Sequence, residues 1–188
     1  MKNKNGAKLL VVGIILAVLV IGYYFYLSNR QSADREEVVE STLVQSVLMK
    51  DLEKSYPPTP KEVVKYFNEI SKCFYNETYT EEELYDLAMQ IQGLYDDELI
   101  AQKTEEQYIT DLKSDIAEMQ ANKRTISSYQ LSASTDVEFF SENGSKCARL
   151  YCEYSILQGT DRISSMVVFV LRQDENEHWK ILGWDLDE

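Results

Sequence analysis

His178 is the only histidine among 188 residues, and it stands beside Trp179. A single imidazole excludes a histidine-rich metal centre, and Ser-His-Asp chemistry would need a nucleophile and a carboxylate to converge on this one ring. No G-x-S-x-G elbow is present to supply the nucleophile. His178 therefore reads as a surface or rim residue. Cys73, Cys147 and Cys152 include no C-x-x-C pair, and no fourth zinc ligand lies near them in sequence. In one regular strand Cys147 and Cys152 stand about 16 Å apart on opposite faces, beyond bonding reach. Two readings remain for the thiols: a bridge between Cys73 and Cys152, or three buried reduced side chains acting as small hydrophobes.

Carboxylates cluster at Glu81–Glu83, Asp96–Glu98, Glu105–Glu106 and Asp174–Glu177. None of these runs fits the spaced D-x-D-x-D-G loop that wraps calcium. Two fall in helix first turns, where carboxylates favour the positive end of the dipole, and the others read as solvated surface. A phosphate-cradling glycine loop is missing too: the chain has seven glycines, and Gly6, Gly13 and Gly22 lie in or before the N-terminal apolar run. Asn76-Glu77-Thr78 and Asn143-Gly144-Ser145 match the glycosylation sequon, the second being explained by turn chemistry. No catalytic, cofactor-binding or metal-binding residue is assigned, no cofactor is expected, and the chain reads as a non-enzyme.

The elements that hold these side chains follow from periodicity. Thr59, Pro60 and Glu62 make a helix start of the capping-box type, and Val63, Phe67, Ile70 and Phe74 give it one apolar stripe. Thr80 and Glu83 open a second helix that runs through Leu84, Leu87, Ile91 and Leu94 to about Ile100; Thr104 and Gln107 open a third, ahead of Tyr108, Leu112, Ile116 and Met119. After Arg124 the period becomes two, with Leu131, Ala133, Val137 and Phe139 on one face. Asn143-Gly144 is a type I′ hairpin signal leading into a strand through Leu157, Gly159-Thr160-Asp161 turns the chain again, Met166–Leu171 is apolar on both faces, and a closing strand runs from His178 to Leu186. The expected fold class is α+β: three helices packed on a curved four-stranded antiparallel sheet.

Composition and the N-terminus set the location. Leu9–Leu27 is an uncharged apolar stretch whose helical rise of roughly 28 Å matches a hydrocarbon core of about 30 Å. Lys2, Lys4 and Lys8 precede it, so the positive-inside bias keeps residues 1–8 in the cytoplasm, and Tyr23–Tyr26 crowd the far interface. A cleaved signal peptide is the competing reading, but the run exceeds the usual length and no A-x-A site follows. The organisation expected is thus a cytoplasmic N-terminus (1–8), a transmembrane helix (9–27), a juxtamembrane stalk or linker (28–58) ending at Tyr56-Pro57-Pro58-Thr59-Pro60, and an extracytoplasmic α+β domain (59–188). With 19 basic and 32 acidic residues the net charge is −13, which repels polyanions and excludes a general nucleic-acid binder.

Three leading helices followed by an antiparallel sheet that ends Trp179-Lys180-Ile181-Leu182-Gly183-Trp184 resembles the nuclear-transport-factor-2-like (cystatin-like) cone fold over residues 59–188. With its single span, its Tyr56–Pro60 entry and its Lys123-Arg124-Thr125-Ile126 joint, the chain is also similar to uncharacterised membrane-anchored proteins of Gram-positive gut bacteria. The first resemblance implies a covered sheet, and its isomerase members pair an acidic base with a tyrosine, for which Tyr129, Tyr151 and Tyr154 with Asp136 or Glu153 are the combinations available here. Alternating strands produce such combinations by chance, so none is taken as catalytic. The expected role is a membrane-anchored extracytoplasmic interaction or scaffold domain, with a protein partner or a homodimer formed through the sheet face. The alternatives are an assembly subunit of a secretion or conjugation apparatus and a small-ligand-binding cone.

Overall fold

Five side chains of the Thr and Asp type each start a helix by accepting a hydrogen bond from a backbone N–H of its first turn: Thr42 from Gln45, Thr59 from Glu62, Thr80 from Glu83, Asp96 from Glu98 and Thr104 from Gln107. The structure, a computed structural model, describes residues 42–187. The helices that follow these caps are α1 (Leu43–Leu48), α2 (Pro60–Asn76), α3 (Glu81–Gln92), α4 (Asp97–Ile100) and α5 (Glu105–Ala121). Five strands come next: β1 (Arg124–Leu131), β2 (Glu138–Glu142), β3 (Ser145–Gln158), β4 (Asp161–Gln173) and β5 (Trp179–Leu186). All ladders are antiparallel in the order β1-β3-β4-β5, and β2 also pairs with β3. Long β3 therefore carries two partners on one edge, β2 along Ser145–Arg149 and β1 along Cys152–Gln158.

The core lies between α2 and the sheet. Val63, Ile70 and Phe67 of α2 meet Leu150 of β3, Phe169 and Leu171 of β4 and Ile181 of β5, all of them buried. Phe67 packs edge-on against Phe169 with ring centroids 5.3 Å apart. Within this layer Asn68 is fully buried and satisfied: its amide donates to the Val64 carbonyl and weakly to Cys152 Sγ, and its side-chain oxygen accepts from the Tyr154 hydroxyl.

The expected class of three helices on four strands is corrected in three places. First, the single strand expected between Arg124 and Phe139 is two, β1 and β2, separated by a 3-10 turn at Ser134–Asp136. Ser132 Oγ accepts from Tyr151 N at 3.2 Å and Asp136 N donates to Ala133 O, so short polar groups bend the chain where alternation would have continued it. Phe139 ends 63% exposed rather than in the core.

Second, the second helix stops at Gln92 instead of running to Ile100. Leu94 and Asp96 exchange backbone hydrogen bonds of 2.8 Å with Ile181, forming a parallel bridge at Tyr95 that helical geometry forbids, and Asp96 then caps the separate one-turn α4. Third, residues 42–58 are not a stalk. Val44 and Val47 of α1 enter the core, the Val47 carbonyl accepts from the Tyr66 hydroxyl at 2.8 Å, Gln90 donates to Lys50 O, and Tyr56 OH donates to Trp179 O at 2.9 Å. Among the described residues no helix is long and apolar enough to cross a membrane. The span expected over 9–27 lies outside the described residues.

Candidate functional site

A cleft of about 270 Å³ opens on the helical side of the domain, where α2, α3, α4 and α5 converge on the end of β5. From α2 come Phe67, Ser71, Phe74 and Tyr75; α3 and the bridge after it add Ile91, Gln92 and Tyr95. The α4 side supplies Leu99, Ile100 and Lys103, α5 supplies Tyr108, Asp111, Leu112 and Asp115, and β5 supplies Trp184. The break after Gln92 is what creates the cleft: by pulling Tyr95 into the bridge with Ile181, it turns the phenol ring between Phe67, Tyr108 and Trp184.

The rings form a connected wall. Trp184 lies 5.2 Å from Phe67 and 5.6 Å from Tyr95, and Tyr95 stands perpendicular to Tyr108 at 6.4 Å. Trp184 and Ile100 keep 45% and 38% of their surface exposed, so the lips of the cleft are apolar. Burial pushes the phenols up. Tyr75 rises to about 12 with the Asp115 carboxylate contributing, Tyr108 rises to about 12, and Tyr95 rises well above its ordinary value. All three are neutral hydroxyls at physiological pH. The Tyr108 oxygen is sealed from solvent without a hydrogen-bond partner of acceptable geometry, although the Tyr95 hydroxyl is near enough to influence it. Lys103 is bound to Asp111 at 2.6 Å, and among the described residues Asp115 has no ion-pair or hydrogen-bond partner.

The tyrosines and carboxylates singled out from the strands do not make a site. Tyr129 and Tyr154 are direct cross-strand partners, and Tyr154 is committed to Asn68. Glu153 projects from the opposite side of β3, where it accepts from Ser164 Oγ at 2.7 Å. Asp136 is exposed in the 3-10 turn, and Tyr151 shares the outer face with Glu153. The carboxylate that acts on Tyr129 is Glu69 of α2, which together with burial pushes the phenol up to about 12.

His178 takes the rim position its sequence context suggests, half-buried and stacked on Tyr56 at 4.2 Å with Asp174 beside it at 3.8 Å. Cys73, Cys147 and Cys152 are buried and unbridged; burial raises the Cys73 thiol to about 12 and Cys152 to about 11, far from the thiolate needed for nucleophilic work. Asp96 is buried beneath Arg172, whose guanidinium grips both of its oxygens at 2.9 and 2.5 Å and reaches Glu98 at 2.8 Å. That cluster ties β4 to the cap of α4 and, being fully paired, has the chemistry of a clamp.

Sequence reasoning passed over Tyr75, Tyr95, Asp111, Asp115 and Trp184 as a group. One signal was present: Tyr108, Asp111, Leu112 and Asp115 recur at three- and four-residue spacing, placing two carboxylates on the apolar face of α5. Residues 1–184 match the family model described as "Domain of unknown function (DUF6715)". No curated protein matches the chain.

Proposed function

We propose that this chain, which belongs to the DUF6715 family, is a membrane-tethered extracytoplasmic binding domain that takes a small ligand, or one side chain of a partner, into its aromatic cleft. The observation that carries the binding reading is the cleft itself: about 270 Å³ walled by Phe67, Phe74, Tyr75, Tyr95, Tyr108 and Trp184. Clefts of this make-up, mostly apolar with a few convergent polar groups, are the usual seats of small ligands. Protonated phenols and solvent-facing carboxylates suit recognition better than proton abstraction, which needs a group poised near neutral pH. The tether and its orientation rest on sequence alone, on Lys2, Lys4 and Lys8 ahead of Leu9–Leu27.

Titrating the full-length chain with the neutral probe 2-phenylethanol while following tryptophan emission tests the cleft. Saturable quenching or shift that disappears in Trp184→Phe and is weakened by the space-filling Leu99→Trp supports the reading; an emission indifferent to the probe at millimolar concentration overturns it. Protease added to whole cells tests the location, since digestion of the domain before lysis is expected and digestion only after lysis reverses the orientation.

A second reading, self-association through the sheet, has one observation in its favour. Tyr151, Val168, Val170 and Met166 share the outer face and remain half-buried or exposed. Sedimentation of the Val168→Glu variant beside the native chain distinguishes it, because a dimer built on this face would dissociate.

A further inference from the structure

From the charge distribution around the cleft we infer that its ligand is an organic cation, an ammonium or guanidinium group on an apolar stem; the inference rests on the cleft being a ligand site. Aromatic faces carry negative quadrupole potential, and six rings line this space. The one lysine among the lining residues, Lys103, is already neutralised by Asp111 at 2.6 Å, which leaves Asp115 as an unbalanced negative charge beside Tyr75. An anion would be repelled by Asp115, a neutral molecule would gain burial alone, and a cation would gain burial among the aromatic residues and the carboxylate together. The apolar lips at Ile100 and Trp184 require that the charge be carried on a hydrophobic stem. A volume of about 270 Å³ corresponds to roughly nine waters at about 30 Å³ each, the size of a compact aryl or alkyl amine.

A free amine and a lysine or arginine side chain of a partner share this chemistry, and the test separates them. The full-length chain in zwitterionic-lipid nanodiscs is titrated with phenethylamine, 2-phenylethanol and phenylacetate, three probes of similar size, and with the end-blocked peptide N-acetyl-Gly-Lys-Gly-amide, tryptophan emission being the readout. The amine is expected to bind about tenfold tighter than the alcohol and the carboxylate weakest, with the amine's advantage falling as salt is added. Asp115→Asn should remove most of that advantage, bringing the ratio of amine to alcohol affinity close to one. Lys103→Met should enlarge it several-fold by freeing Asp111. Peptide binding as tight as that of the amine assigns the site to a partner's side chain, and binding tenfold weaker assigns it to a free amine; both support the class. Equal affinity for amine and alcohol, or tightest binding of phenylacetate, overturns the cation while the cleft remains a ligand site. Failure of every probe overturns the cleft reading as well.

Discussion

Helix α1, the first among the described residues, provides the sharpest test of whether residues 42–58 belong to the folded core. Val44 and Val47 are 1% and 3% exposed, packed in the same core as α2 and α3. Replacing both by Ala removes about two CH₂ equivalents at each site, at about 0.8 kcal/mol apiece, so about 3 kcal/mol of transfer free energy is lost before any cavity is counted. Partial collapse around the vacated space brings the total to roughly 3–5 kcal/mol, a large share of the 5–15 kcal/mol typical of a domain. The two sites are one helical turn apart and share neighbours, which makes the sum an upper figure. In urea, with a slope of about 2 kcal/mol/M, the unfolding midpoint should fall by about 1.5–2.5 M. Tryptophan emission in a Trp184→Phe background is a suitable probe, because the remaining Trp179 accepts the Tyr56 hydroxyl of the same segment at its carbonyl. A midpoint within about 0.3 M of the native chain would return residues 42–58 to a stalk and refute the packing argument.

Tyr154→Phe should cost about 1–3 kcal/mol in thermal unfolding, because it strands the buried Asn68 oxygen while changing almost no volume. Arg172→Met should cost about 2–4 kcal/mol, the carboxylate of Asp96 being left buried without its fork, and Arg172→Lys should recover little because one ammonium cannot span both Asp96 oxygens and Glu98; chemical denaturation checks both. Alkali should unfold the domain in a defined window. Cys73 and Cys152 rise from 9.0 to about 12 and 11, and Tyr75, Tyr108 and Tyr129 from 10.0 to about 12, so the folded state holds protons that the unfolded chain releases. Stability is therefore full below about pH 9 and declines as pH climbs toward 12; a urea midpoint followed by far-UV circular dichroism should fall between about pH 8 and pH 11, and an unchanged midpoint would contradict it.

Much of the fold was legible because local signals agreed with one another. Thr59, Thr80 and Thr104 mark their helices through hydrogen bonds that span three residues, and Asn143-Gly144 turns β2 into β3 through its own positive φ angles of 51° and 85°. These are decided within a few residues. The break after Gln92 was not legible: residues 93–100 keep a helical hydrophobic period, and only the far-off Ile181 makes an extended Tyr95 preferable. The split of the first strand was obscured likewise, since alternation runs through Ser132–Asp136 and the decision belongs to hydrogen bonds with Tyr151 and to the length of β3.

The chain's own order of residues settled the helix starts at Thr59, Thr80 and Thr104, the hairpin turn, the net acidity and the exclusion of a histidine-rich centre, because each depends on neighbouring residues or on composition alone. Tertiary structure alone decided that α1 belongs to the core, that Asp96 is clamped by Arg172 from 76 residues away, and that Tyr75, Tyr95, Tyr108 and Trp184 close around one cleft. Those outcomes depend on which distant surfaces exclude water together, and no local periodicity encodes that choice.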